Sequence, residues 1–177
     1  MPSGRTHDAI TLFLAAPAFG AGYVTTRQAW LAAIMTVAFV FGGLMFGPDL
    51  DTVSKQYGRW WVFKGLWFPY RTFFKHRSRW SHGLIFGTLV RVIYFTGIIA
   101  LGGFIATYVI EFISGVRIAG VVDFIAAWRH LGDAFRGYIG ETAALAVFIG
   151  LWLGAASHSF TDIAGTFVKT GKVSGSL

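Results

Sequence analysis

Residues 29–47 read AWLAAIMTVAFVFGGLMFG, without a single charge, and residues 48–51 that follow read PDLD. At 1.5 Å of rise per residue, such a helix covers most of a hydrocarbon core about 30 Å thick. The stretch reads as a membrane span closed by a proline and two acids. Three more charge-free stretches lie outside it, at 9–26, 92–110 and 142–157. Only 13% of the chain is charged against 55% hydrophobic, and mean hydropathy is +0.60. A soluble domain carries roughly a quarter charged residues, so a water-soluble enzyme is excluded. The absence of cysteine excludes a disulfide scaffold and a thiolate metal site.

The expected fold class is all-α: a polytopic membrane protein, a four-helix transmembrane bundle forming one membrane domain over 1–177. Its spans fall at about 9–24, 29–47, 82–113 and 141–165. Ala16-Pro17-Ala18 has the small residues of a signal cleavage site, but Pro17 is read as a bend in a retained helix. Thr25–Gln28 is long enough only for an antiparallel turn. Residues 49–81 form a basic connection in which Tyr57, Trp60, Trp61, Phe63, Trp67, Phe68, Tyr70, Phe73 and Phe74 mix with Lys and Arg. That composition suits a segment lying in the membrane interface. Ser81 is a candidate cap for the third span. Arg91 either protrudes from the hydrocarbon or is buried with an acid as partner. Residues 114–140 are a near-neutral interfacial segment, and the chain shows no repeat and no soluble domain.

Between 52 and 80 the chain carries Lys55, Arg59, Lys64, Arg71, Lys75, Arg77 and Arg79 and no acid. Although the net charge is +7, a basic block between spans is a topology signal and a lipid contact, and no nucleic-acid partner is expected. With this connection in the cytoplasm, parity puts both termini inside and the 25–28 turn and 114–140 outside. The metal-capable residues then converge. His7 and Asp8 precede span one, Asp49 and Asp51 follow span two, His76 and His82 lead into span three, and His158 and Asp162 lie near the end of span four. All eight fall at one membrane face; of the five histidines only His130 is opposite.

His158 and Asp162, four apart, share a helix face. Asp49 and Asp51 sit at a helix C-terminus, where the macrodipole disfavours anions. Either a metal ion or simple pairing with Arg77 and Arg79 relieves them. With imidazole and carboxylate donors, zinc is the first expectation, with manganese or iron behind it, as one ion or as two bridged by a carboxylate. Asp8 is placed to orient His7. The pairs Gly43/Gly47, Gly83/Gly87 and Gly150/Gly154 have the spacing that lets membrane helices approach closely.

The runs PSGRTHD at 2–8, GLMFGPDLD at 43–51 and HRSRWSHG at 76–83 resemble a group of small bacterial membrane proteins described as metal-binding and well represented in cyanobacteria. Pro69-Tyr70-Arg71 and the Gly87-Thr88, Arg91, Tyr94 pattern are similar to that group too. More distantly, the T-H, P-D-x-D, H-R-x-x-S-H and late H-x-x-x-D order resembles YdjM-like membrane-bound metal-dependent hydrolases. The resemblance implies His7, Asp49, Asp51, His76, His82, His158 and Asp162 as metal residues, and a bacterial inner membrane as the location. Phosphatidic-acid-type phosphatases are a poorer match, because Leu151 and Trp152 stand where their Ser-Arg pair belongs.

A bound metal suggests hydrolysis, since it acidifies water and polarises the scissile group. Arg71, Arg77 and Arg79 are the candidates to hold a phosphate, and Asp51 or Asp8 the candidate general base and so catalytic. The expected function is a metal-dependent hydrolase of a phosphoester or lipid-linked substrate at the cytoplasmic face, with membrane lipid as partner. The competing expectation is a non-catalytic, metal-stabilised subunit of a larger membrane complex or homo-oligomer. A structural site would be coordinatively filled, a catalytic one open. A transporter ranks third, because four spans without inverted repeats suit alternating access poorly.

Overall fold

A computed structural model describes residues 3–74, 78–83, 86–115 and 120–171, with only the backbone of Arg79. Among them all regular structure is helical. Four helices are long and apolar enough to cross a membrane: α1 (Gly4–Thr26), α2 (Ala29–Leu44, whose apolar run continues to Asp51), α6 (Phe86–Ser114) and α8 (Glu141–Thr170). The short helices α3 (Lys55–Arg59), α4 (Phe68–Phe73) and α5 (Arg79–His82) join α2 to α6, with 3₁₀ turns at Pro48–Asp51 and Trp61–Trp67. Helix α7 (Val121–Ile139) buries no residue and touches α6 through Phe124, whose ring meets Phe104 edge-on at 5.2 Å. This is the fold of a polytopic membrane protein.

Small residues decide which helices meet. A Cβ on Gly150 would collide with the Met35 carbonyl, and one on Gly154 with the Phe39 carbonyl. Gly42 answers from α2, where a Cβ would lie 2.5 Å from the Leu151 carbonyl. Backbone thus approaches backbone along the α2–α8 seam, where close packing replaces the hydrophobic drive that lipid does not supply. Helix α1 lies along α2 as well, with Thr11 filling the space that Gly43 leaves.

The chain after α2 turns back and satisfies that helix's last carbonyls, which have no partner within the helix. Gln56 Nε2 donates to the Gly43 carbonyl at 2.7 Å, Arg59 Nη1 to Leu44 at 2.6 Å and Trp60 Nε1 to Met45 at 2.9 Å. Only four of the nine aromatic rings between 57 and 74 lie outward as an interfacial segment would have them. Trp61, Phe63, Phe68 and Phe73 are exposed, whereas Trp60, Trp67 and Tyr70 are buried around Phe46. Trp67 stacks on Phe95 of α6 at 5.7 Å, and Tyr94 Oη donates to the Leu66 carbonyl at 2.5 Å. The buried rings fix where the chain passes beneath α2, and the others are exposed.

The third membrane-length helix differs from a continuous 82–113 span. Its apolar body begins at Phe86, and His82 belongs to the separate turn α5. Ser78, rather than Ser81, caps that turn, its Oγ accepting from the Ser81 N–H at 3.2 Å. Arg91 is buried. Its Nη1 donates to the Ser81 carbonyl at 2.6 Å and its Nη2 to Thr88 Oγ1 at 3.1 Å, with Tyr70 and Asp51 close enough to feel its charge. Arg91 thereby ties the first turns of α6 to the residue preceding His82.

Candidate metal centre

Four chain segments deliver the candidate ligands to one end of the bundle: the start of α1, the end of α2, the turn before α6 and the second half of α8. His7 stands in the second turn of α1 and faces α8. Its ring stacks on His158, centroids 3.8 Å apart and planes 14° from parallel. His7 Nε2 lies 3.3 Å from Asp162 Oδ1, and His158 Nε2 lies 3.9 Å from Asp162 Oδ2. One donor atom from each of His7, His158 and Asp162 falls within 4.8 Å of the other two.

Asp49 extends this group. Its Oδ2 lies 3.3 Å from His158 Nε2 while its Oδ1 lies 3.6 Å from His82 Nε2. His82 Nδ1 is 3.3 Å from Asp51 Oδ2. The 3₁₀ turn aims both acids, because Pro48 opens it and the Thr52 and Ser54 hydroxyls donate to the Asp49 carbonyl. Burial opposes a charged His82, but hydrogen bonds with Asp49 and Asp51 outweigh it and hold the imidazole above its ordinary range. The result is a continuous row, His7–Asp162–His158–Asp49–His82–Asp51.

The donors fit a metal. His158 Nε2 and Asp162 Oδ1 are buried and, despite their close neighbours, make no directed hydrogen bond. Buried polar atoms in that state are costly unless a cation joins them. Two imidazoles and a carboxylate are also the donor types that first-row divalent ions take. Behind His158, Gln56 Nε2 sits 3.2 Å from Nδ1 while anchored to Gly43, so the ring is held from its far side.

A cavity of about 160 Å³ opens on this row, lined by His7, Asp49 and His158 together with Asp8, Lys55 and Gln56. Asp8 is engaged through Oδ2 by Lys55 and by Arg59, the latter at 2.7 Å. The cation in the cavity wall is therefore Lys55, which the sequence reading left among the topology charges. Arg71 is placed elsewhere, its guanidinium 4.5 Å over the Tyr57 ring. His76 and Arg77 lie outside the described residues, as does the side chain of Arg79. Of the seven candidate ligands, the structure thus brings six into one row. Lys55 and Gln56 are additions that no spacing in the sequence marks.

Membrane-length helices around a His/Asp centre define a class, the polytopic membrane proteins with a candidate metal site at one end of a helical bundle. Within it, the chain belongs to the family described as "Uncharacterized metal-binding protein (DUF2227)", whose model matches residues 2–172. It is also similar to an uncharacterized protein of Aquifex aeolicus (strain VF5), 39% identical over 59 residues, which is 33% of this chain and 41% of that protein. No solved structure matches the chain.

Proposed function

We propose that the protein is a metal-dependent hydrolase of phosphoesters, acting on a lipid-linked phosphate at the cytoplasmic face of a bacterial inner membrane. The observation that carries this reading is the cavity, whose lining includes a cation, Lys55, alongside the metal-capable residues His7, Asp49 and His158. The basic 52–80 connection supports a cytoplasmic site and cytoplasmic termini through the positive-inside bias. The likeness of the motif order to YdjM-like hydrolases points the same way.

In this reading His7, His158 and Asp162 hold one ion, zinc first among the candidates. Asp49, with an oxygen toward His158 and one toward His82, would complete the ligands together with His82 and Asp51 were a second ion bound. Such ions, when bound, supply Lewis acidity and an acidified water. The chain's own groups do the rest. Lys55 Nζ draws the substrate phosphate into the cavity as a point charge. Lys55 and Arg59 keep Asp8 ionised through Oδ2, and Asp8 Oδ1 accepts the proton of the attacking water. Gln56 keeps the His158 ring from rotating away.

Elemental analysis of the purified protein, followed by turnover assays on phosphate monoesters and lipid phosphates with and without chelator, tests this. Stoichiometric metal with chelator-sensitive turnover is expected, together with loss of turnover but retention of metal in Asp8→Asn. Protein that purifies without metal, or that holds metal and cleaves none of these phosphates, overturns the proposal.

A further inference from the structure

Resting on that reading, with His82 among the ligands, we infer that Arg91 is a positioning residue of the centre. Through the Ser81 carbonyl it sets the His82 ring beside Asp49, so the placement of α6 governs metal affinity. Arg91 stands in the second turn of α6, where a long basic side chain ordinarily reaches along its helix to water. It is instead only 2% exposed, and Ser81 and Thr88 are buried with it. A buried guanidinium is costly unless its donors find acceptors. Here Nη1 donates to the Ser81 carbonyl at 2.6 Å and Nη2 to Thr88 Oγ1 at 3.1 Å. Gly87 lets that carbonyl come close to α6, since a Cβ there would stand 2.7 Å from it.

The identity of the acceptor turns this anchor into a positioning device. Ser81 precedes His82 in α5, a turn of four residues, too short to hold its shape unaided. Ser81 Oγ lies 3.2 Å from His82 Nδ1, and Asp51 Oδ2 lies 3.3 Å from the same nitrogen. With Nδ1 engaged by these two groups, the ring turns Nε2 toward Asp49 Oδ1 at 3.6 Å. The path from Arg91 to the centre therefore runs through one carbonyl and one residue. A planar fork serves it better than an ammonium, because an acceptor on α5 and another on α6 are held at once. Tyr94, one turn further along α6, gives the contrast. Its hydroxyl donates to the Leu66 carbonyl at 2.5 Å and fastens the same helix to the connection at a different place.

A double-mutant cycle on Zn²⁺ affinity tests this, with full-length protein in detergent and competition by a chelating dye. Arg91→Lys keeps the charge and loses the fork. It should weaken binding about tenfold, the low end for a residue that orients a ligand. His82→Gln should weaken it at least as much. The double variant should bind no more weakly than His82→Gln alone, because Arg91 acts through that ring. Tyr94→Phe should lower thermal stability and leave affinity unchanged. Losses that multiply in the double variant, wild-type affinity in Arg91→Lys, or an equal loss in Tyr94→Phe overturns the inference. If Arg91→Lys does not fold, Thr88→Val, which removes only the second acceptor, goes through the same cycle with the same criteria. Turnover of phosphates, scored on the same samples, separates the two readings. Bound zinc with non-additive losses and no turnover ends the hydrolase reading and keeps the role of Arg91. Turnover with losses that multiply does the reverse.

Discussion

Helices α8 and α6 have nearly the same length and are both apolar enough to span a membrane, yet they are held in opposite ways. Helix α8 buries nine residues, Gly150, Gly154 and His158 among them, along a seam with α2. Helix α6 buries only Gly87, Thr88 and Arg91, all in its first two turns. The difference follows from side-chain size. Gly150 and Gly154 let backbone touch backbone, whereas Gly97 and Gly102 of α6 have nothing within 4 Å of where a Cβ would stand. In lipid, apolarity alone gives a helix no preference for protein over solvent, and close approach or a polar contact must supply it. Helix α8 is fixed by steric fit along a seam, α6 mainly through its first turns, by Arg91 and by the Tyr94 and Phe95 rings.

The sharpest way to break this contrast is to put the same side chain on each helix. Gly154→Val drives methyl groups into the Phe39 carbonyl and should cost about 3 kcal/mol, at the upper end for overpacking. Metal should be lost with it, because His158 lies one turn further along. Gly102→Val should change stability by less than about 0.5 kcal/mol. Thermal unfolding in detergent measures both, and comparable losses in the two variants would refute the account. Arg91→Ala attacks the other anchor. It removes the donor to the Ser81 carbonyl and one of the positive charges near Asp51, at a cost of about 2 kcal/mol. Raised proteolysis confined to residues 74–90, with the α2–α8 seam intact, is the expected pattern.

How far the sequence could carry the reading differs between these regions for the same reason. Helices of membrane length are legible because hydrocarbon thickness imposes a run of apolar residues, and parity then places His7, Asp49, His82 and His158 at one end. In the structure these residues are neighbours, linked through Asp162 and Asp49. Gln56 and Lys55 were not legible, because their roles depend on how the chain returns beneath α2, and no periodicity records a return path. Arg91 showed only as a charge at the edge of a span. Its destination, the Ser81 carbonyl, follows from the break after His82, which an apolar count passes over.

Two smaller effects sharpen the picture at the centre itself. Gln56→Leu keeps the side chain's bulk but frees the His158 ring and the Gly43 carbonyl. Metal affinity should fall about tenfold, the low end for a partner that orients a ligand, while His130→Ala on α7 leaves it unchanged. Equal affinity in Gln56→Leu and wild type, by competition with a chelating dye, would remove Gln56 from the site.

The smallest effect is a slope with pH. Without metal, the His82 pairs with Asp49 and Asp51 stabilise the fold fully below the ordinary histidine pKa of about 6.5. They lose that contribution as pH rises through the raised value. A metal ion needs His82 deprotonated, so its affinity should instead rise with pH, by less than about tenfold per unit since one proton is displaced. Metal-free stability and metal affinity should therefore slope in opposite directions above pH 6.5. His82→Gln should flatten both, whereas a variant on the outer half of α6 should flatten neither. Parallel slopes, or slopes that survive His82→Gln, would place the titrating group elsewhere and confine the metal to the α1–α8 side of Asp49.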